Sequence, residues 1–197
     1  TNLLAVFTGV TVTEIADTTE PSISSAVIDY STGVIIVTAD ETIDATPDSE
    51  IVTSLIHVAD TTGSADVQLT AASVVAVDGV SFTLQLTDLL RVQAQRLSNV
   101  VGGNGVASKL DFTANAVQDI ALNRHSGTFS VAFTETADSI KPSITVATID
   151  LSYGNIVLEF DEIVQLNPRF IIAFPAPVSL DAPKFTQVQQ LATGAVG

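Results

Sequence analysis

Hydrophobic and polar residues alternate along most of the chain, in short runs that are rich in Val, Ile and Thr. Alternation with a period of two, carried by β-branched residues, is typical of half-buried strands. It predicts an all-β fold whose strands are separated by short turns. The predicted strands are 22–29, 34–39, 51–58, 67–77, 80–86, 110–117 and 128–133.

Glycines mark two of the predicted turns. Gly33 lies between the first two strands, where a tight hairpin turn favours a residue that accepts positive φ. The pair Asp78-Gly79 stands between two alternating runs, which is a strong short-range signal for a second hairpin.

Residues 87–97 break the alternation and predict a helix. Apolar side chains recur there at roughly helical spacing, and Thr87 precedes them as a favourable N-cap. The apolar positions are Leu89, Leu90, Val92 and Leu97. We therefore expect one short crossover helix, followed by a loop in the Gly-rich stretch 100–105.

An internal repeat is the most informative feature of the sequence. Thr13-Glu14 recurs as Thr134-Glu135, and the match continues without a gap to Asp40-Glu41 and Asp161-Glu162, always 121 positions apart. This period exceeds the roughly 20–50 residues of solenoid repeats, so each copy should be a domain with its own core.

The repeat divides the chain into three expected parts. Residues 1–16 are interpreted as the last strand of a preceding repeat, 17–136 as one complete repeat, and 137–197 as the first half of the next. A half sandwich leaves an apolar face and unpaired strand edges, so we expect 137–197 to need residues beyond 197 or a neighbouring chain. The chain is thus interpreted as a piece of a longer or processed protein.

Three segments together resemble a known family. They are the linker Asp-Thr-Thr-x-Pro at 17–21, the Glu-containing turn at 37–44, and Ala-Val-Gln-Asp-Ile-Ala at 116–121 with Asn123 before a closing strand. This pattern, over about residues 13–165, is similar to the bacterial Ig-like and SwmB-like tandem repeats of large cell-surface and adhesin proteins, including mastigoneme (flagellar hair)-type extracellular proteins. The resemblance implies tandem Ig-like, seven-stranded β-sandwiches. Leu122 stands where the family usually has Gly before the Asn.

Composition excludes several classes of function. With 7 Lys+Arg against 22 Asp+Glu, the formal charge of −15 repels nucleic-acid phosphates. The absence of Cys excludes disulfides, thiolate metal sites and a cysteine nucleophile. No apolar run of about 18 residues is present, so no membrane span is expected in this segment.

Carboxylates gather where an Ig-style strand order brings turns to one pole, facing the preceding repeat. Ca²⁺ binds six to eight oxygens of this kind. One hypothesis is a junction calcium that stiffens the array, held by Asp17, Glu41, Asp44 and Asp119. The alternative is that these residues form turns and solvate the surface. No cofactor is required in either case.

Catalytic motifs are missing, and we expect no enzyme. A triad of Ser126, His125 and an Asp lacks a nucleophile elbow, and adjacent residues in extended chain point to opposite sides. His57 falls inside a predicted strand and is interpreted as structural or solvent-facing. Asp161-Glu162 could act as a glycosidase pair only across a cleft, but the two are adjacent in sequence.

The expected function is structural: a segment of a large extracellular or cell-surface protein that forms a stalk, filament or surface fibre. Its partners would be neighbouring repeats and other copies or subunits of the filament. Two alternatives stay open. The chain could be an adhesin or ligand-binding module that grips a partner with loops 59–66 or 98–109, or an accessory domain of a secreted enzyme.

Overall fold

A computed structural model describes residues 9, 11–61 and 67–164, together with the backbone of 188–189. Most of the predicted first segment (1–16), part of loop 59–66 and much of 137–197 therefore lie outside the described residues. Within the described chain the protein is all-β, with one α-helix and two short 3-10 helices. Its strands are β1 (Ile23–Asp29), β2 (Val34–Ile43), β3 (Ile56–Ala59), β4 (Val67–Gln68), β5 (Ser73–Val75), β6 (Gly79–Gln85), β7 (Lys109–Phe112), β8 (Thr128–Thr136), β9 (Ile144–Asp150), β10 (Asn155–Phe160) and β11 (Val188–Gln189).

The first eight strands form one curled sheet in the order β4-β3-β7-β8-β1-β2-β6-β5. Strand β8 joins its two halves by changing partner along its length. Its first part pairs antiparallel with β7, up to Ala132 opposite Lys109, and its last part, from Phe133, pairs parallel with β1. The sheet has eight strands where seven were expected, and two of them, β4 and β5, have only two and three residues.

The curled sheet encloses the apolar core. Side chains that face inward from β1, β2 and β6 are buried, whereas their neighbours along each strand are mostly more exposed, as the alternation predicts. In β7 the residues Leu110, Asp111 and Phe112 are all buried. The largest fully buried side chains include Tyr30, Phe112, Ile28, Ile35, Leu84 and Leu110. Phe112 contacts Phe82 edge to face, with ring centroids 6.5 Å apart.

Three predicted strands are shorter than the pattern indicated. Residues 51–58 begin with turns, including the 3-10 helix Thr53–Leu55, and only Ile56 onward is strand. The run 67–77 is interrupted where the amide of Ala72 donates to the carbonyl of Leu69. The run 110–117 ends at Phe112, because the chain turns at 113–116.

The helix α1 (Asp88–Arg96) forms where it was predicted. The hydroxyl of Thr87 accepts a hydrogen bond from the amide of Leu90, which confirms Thr87 as the N-cap. The buried face matches the predicted one in part: Leu90 is buried and Leu97 packs against the core, but Leu89 is 58% exposed. Arg91 and Ala94 are buried as well.

The hairpin β9–β10 repeats the hairpin β1–β2 at the same offset of 121 positions. In both hairpins an aspartate at the end of the first strand (Asp29, Asp150) accepts the amide two residues on at 2.8 Å. A glycine at positive φ (Gly33, φ 71; Gly154, φ 67) closes each turn. The internal repeat is therefore structural as well as sequential.

The two hairpins differ in burial. Ile23 and Ile28 of β1 are 5% and 0% exposed, whereas their counterparts in β9, Ile144 and Ile149, are 53% and 44% exposed. Strand β9 is the edge of a separate sheet in the order β11-β10-β9. Its face lacks, within the described residues, the layer that covers β1. No helix in the described part of the chain has the length and apolarity to cross a membrane.

Candidate functional site: a repeat junction and an acidic cluster

Arg91 contacts residues from both copies of the sequence repeat. It lies in the first turn of α1 and is 5% exposed, although its guanidinium is charged. Its Nη1 donates to the carbonyl of Tyr30 and to Oδ2 of Asp138, each at 2.9 Å, and its Nη2 donates to Oε2 of Glu162 at 2.9 Å. Asp88 lies one helical turn back, with Oδ1 3.7 Å from Nε.

These contacts join α1 to the second copy of the sequence repeat. Asp138 belongs to the linker after β8, and Glu162 follows β10. Both carboxylates are largely buried, so each charge requires a partner. Burial lowers the pKa of Arg91, but the hydrogen bond to Glu162 and the charges of Asp138 and Glu162 outweigh it and raise that pKa above its usual value.

A second cluster lies near the start of β1 and the end of β2, whereas Arg91 lies beside Tyr30 at the end of β1. Carboxylate oxygens of Asp17, Glu41 and Asp119 all lie within 4.8 Å of one another. Asp17 comes from the linker before β1, where its Oδ1 accepts the amide of Thr19 at 3.0 Å. Glu41 comes from the part of β2 where the register with β6 shifts, between Thr38 and Ile43.

Asp119 is positioned by a tight turn that also contacts the linker. Its Oδ1 and Oδ2 accept the amide and the side-chain Nδ2 of Asn123, each at 2.8 Å. Asn123 Nδ2 also lies 3.3 Å from the carbonyl of Asp17, so the turn and the linker are held together. Leu122 adopts φ 68, the left-handed conformation that favours glycine.

The surroundings of the cluster shift the pKa of Glu41. Desolvation raises the pKa of Glu41, and the negative charges of Asp119, Asp17 and Asp40 raise it further. The Oε1 atom of Glu41 is buried and has no hydrogen-bond partner within the described residues. The site therefore holds a carboxylate that would gain from a cation.

Asp44, the fourth residue of the predicted calcium set, lies outside this group of three. Its Oδ1 accepts the amide of Thr46 at 3.3 Å and its Oδ2 accepts Nε2 of Gln118 at 3.4 Å. These are turn and side-chain contacts of the kind that the alternative interpretation predicted. Three of the four predicted residues are thus brought together and one is not.

The candidate catalytic residues have separate structural partners. His125 is 2% exposed, and its Nε2 lies 2.7 Å from Oγ1 of Thr128. Ser126 instead donates to Oε1 of Glu20 at 2.7 Å. Burial lowers the pKa of His125, although the charge of Glu20 opposes the shift. His57 is 9% exposed within β3.

Asp161 and Glu162, the pair considered for glycosidase chemistry, also form hydrogen bonds with other residues. Asp161 accepts the amide of Ser143 at 2.7 Å and the Ser143 hydroxyl, and these hydrogen bonds lower the pKa of Asp161. Glu162 binds Arg91. The two carboxylates therefore serve different contacts.

The two loops singled out for ligand binding meet at one place. Asn104 Nδ2 donates to Oδ2 of Asp60 at 2.9 Å. Next to this contact is an open depression of about 380 Å³, lined by Asp60, Val67, Gln68, Gln93, Arg96 and Leu97.

The residue that sequence reasoning missed is Arg91. The helical spacing is defined by apolar residues alone, so Arg91, as a charged residue, is not included in the predicted buried face. One signal could have found it: the repeat places Asp138 and Glu162 at the positions of Asp17 and Glu41, in a chain with only 7 basic residues. Conserved spacing of two acids across copies indicates a cationic partner.

Comparison with protein-family models, with curated proteins and with solved structures finds no match to this chain.

Proposed function

We propose that the chain is a structural segment of a large extracellular tandem-repeat protein, part of a stalk, filament or surface fibre. In this proposal residues 17–136 are one Ig-like β-sandwich repeat, 137–197 begin the next, and 1–16 end the one before. The observation that carries the proposal is the buried guanidinium of Arg91, which binds the linker and the next copy at once.

A stalk requires that successive repeats keep a fixed orientation. A linker alone permits many orientations, whereas a buried arginine bound to two carboxylates restricts them, because breaking either contact leaves a desolvated charge. Ser139 adds a further contact, since its amide donates to Oγ of Ser31 at 3.0 Å. Pro142 then restricts the linker backbone before β9.

The charge of the chain suits a fibre as well. A net charge of −15 keeps extended molecules soluble and apart at low ionic strength. With no Cys in the chain, cohesion between repeats relies on packing, strand pairing and contacts such as that of Arg91. An extracellular or cell-surface location follows from the same proposal.

Electron microscopy of the native particle that carries this chain tests the proposal. We expect a fibre with beads at a regular spacing, each of a size that one 121-residue repeat can fill. A compact particle with a single bead and no fibre would contradict it.

The contact between Asp60 and Asn104 favours one second candidate, an adhesin or ligand-binding module. It ties loops 59–66 and 98–109 together beside an open depression, an arrangement that could present a binding surface. This candidate predicts saturable binding of a partner by one isolated copy. A stalk predicts no such binding.

A further inference from the structure

The acidic cluster of Asp17, Glu41 and Asp119 and the contacts of Arg91 are related by the internal repeat. Asp138 and Glu162 follow Asp17 and Glu41 by 121 positions each. The local geometry agrees as well, because Asp138 Oδ1 accepts the amide of Ile140 at 2.9 Å, as Asp17 Oδ1 accepts that of Thr19. In the second copy, the two acids at these positions bind an arginine.

We propose that Asp17 and Glu41 form the binding site for the guanidinium of an arginine at the Arg91 position of the repeat that precedes residue 17. This inference rests on the proposed function, since it needs a preceding repeat. Residues 1–16 supply the sequence support for one, because Thr13-Glu14 matches Thr134-Glu135 at the end of β8. The junction seen between 17–136 and 137–162 would then recur at the other end of the repeat.

The free oxygens in the cluster match this ligand. At the occupied junction Asp138 offers Oδ2 and Glu162 offers Oε2 to the two nitrogens of the fork. At the empty one, Asp17 uses Oδ1 for its own turn, and Oδ2 carries no hydrogen bond within the described residues. Glu41 accepts no hydrogen bond within the described residues, and its Oε1 is buried without a partner, as Glu162 Oε1 is at the occupied junction. There the guanidinium binds the other oxygen, Oε2, so Asp17 Oδ2 and Glu41 Oε2 are the acceptors that a second guanidinium would bind.

The donor set suits calcium less well. Both oxygens of Asp119 already accept hydrogen bonds from Asn123, and Asp44 is bound to Thr46 and Gln118. Ca²⁺ requires six to eight oxygens at about 2.3–2.6 Å. Three carboxylates that each give one oxygen supply three of these ligands, so water would have to supply the rest. We therefore assign Asp119 to raising the negative potential around the site.

A fusion tests the proposal directly. Residues 17–121 are placed immediately before Thr1 of the full chain, so that 1–16 follow in register and complete the added repeat. The pKa of the original Glu41 is then measured by carboxyl ¹³C NMR in the fused and unfused chains. An arginine within hydrogen-bond distance should lower it by about 1–3 pH units.

Matched variants assign the effect. Arg91→Gln in the added repeat should restore the raised pKa of Glu41, whereas Arg96→Gln, on the exposed part of the same helix, should leave it lowered. If the added repeat does not fold with 1–16 as its last strand, residues 17–137 placed before 17–197 give it the native β8. A Glu41 pKa that stays raised in a folded fusion overturns the proposal.

Calcium is tested on the unfused chain with CaCl₂ alone. We expect no saturable change in the carboxyl signals of Asp17 and Glu41 at millimolar Ca²⁺. A saturable change would overturn the proposal in favour of the calcium hypothesis. Neither result alters the contact of Arg91 with Glu162, so failure here is distinguishable from failure of the structural role.

Discussion

Arg91 in α1 donates a hydrogen bond of 2.9 Å to Glu162, the residue that stands in the second copy where Glu41 stands in the first. One copy therefore shows this glutamate bound to an arginine, and the other shows it beside two acids with no ion pair within the described chain.

Arg91→Gln should weaken the junction between the copies. The change leaves Asp138 and Glu162 largely buried without their positive partner, at a cost of about 3 kcal/mol. Hydrogen exchange of residues 138–162 should accelerate, and urea unfolding should begin at lower concentration. Arg96→Gln is the control, because this substitution removes the same charge from an exposed position on the same helix. Equal effects of the two variants would count against the junction.

Glu41→Gln should stabilise the chain at pH 7. The pKa of Glu41 is raised in the folded state, so its ionisation opposes folding above that pKa. The gain should shrink as the pH falls through the raised pKa and vanish below about 4.5, where Glu41 is neutral in both states. Melting temperatures from pH 4 to 7 measure it. Asp48→Asn, at an exposed position, is the control for the removal of one negative charge.

Leu122→Gly should stabilise the chain by about 0.5–1 kcal/mol, because glycine accepts the left-handed conformation that costs leucine more. Little burial is lost, since Leu122 is 65% exposed. Ala121→Gly, one position earlier without positive φ, should instead destabilise by a similar amount. Urea unfolding measures the free energy of unfolding of both variants. A loss of stability in Leu122→Gly would show that the contacts of the leucine side chain contribute more than the backbone strain costs.

Stability should fall as the pH drops below about 6.5, in part through His125. Burial lowers the pKa of His125 in the folded state, so the unfolded chain binds a proton first. His125→Phe keeps an aromatic ring beside Phe112 but removes the titrating group. Its free energy of unfolding should therefore depend less on pH between 7.5 and 5 than that of the unchanged chain. An identical pH dependence would remove His125 as the cause.

Local signals predicted much of this fold. The helix 88–96 was found from its apolar spacing and Thr87, and the hairpin around Gly33 from its turn residues, because both depend on contacts between near neighbours. The prediction of a strand over 51–58 is wrong for its first half, where the amide of Val52 donates to the carbonyl of Ala116. That hydrogen bond joins distant parts of the chain, and alternation carries no information about it.

The acidic cluster was predictable from the sequence, and the contacts of Arg91 were not. The Ig-style strand order predicts Asp17, Glu41 and Asp119 at one pole, and the structure places them together in the linker before β1, late in β2 and in the turn 119–123. The role of Arg91 is not predicted from the sequence, because its burial depends on Asp138 and Glu162, which lie 47 and 71 positions away. The repeated acids indicate a nearby cation but not which residue supplies it, because that depends on contacts between distant parts of the chain.

The central claim is that Arg91 holds successive repeats in one orientation, and a distance measurement tests it most directly. The chain has no Cys, so spin labels on Ser25→Cys and Val146→Cys, at equivalent positions in β1 and β9, report the step from one copy to the next. Pulsed electron spin resonance should give one narrow distance distribution that broadens with Arg91→Gln and stays narrow with Arg96→Gln. A broad distribution in the chain with Arg91 intact would contradict the claim.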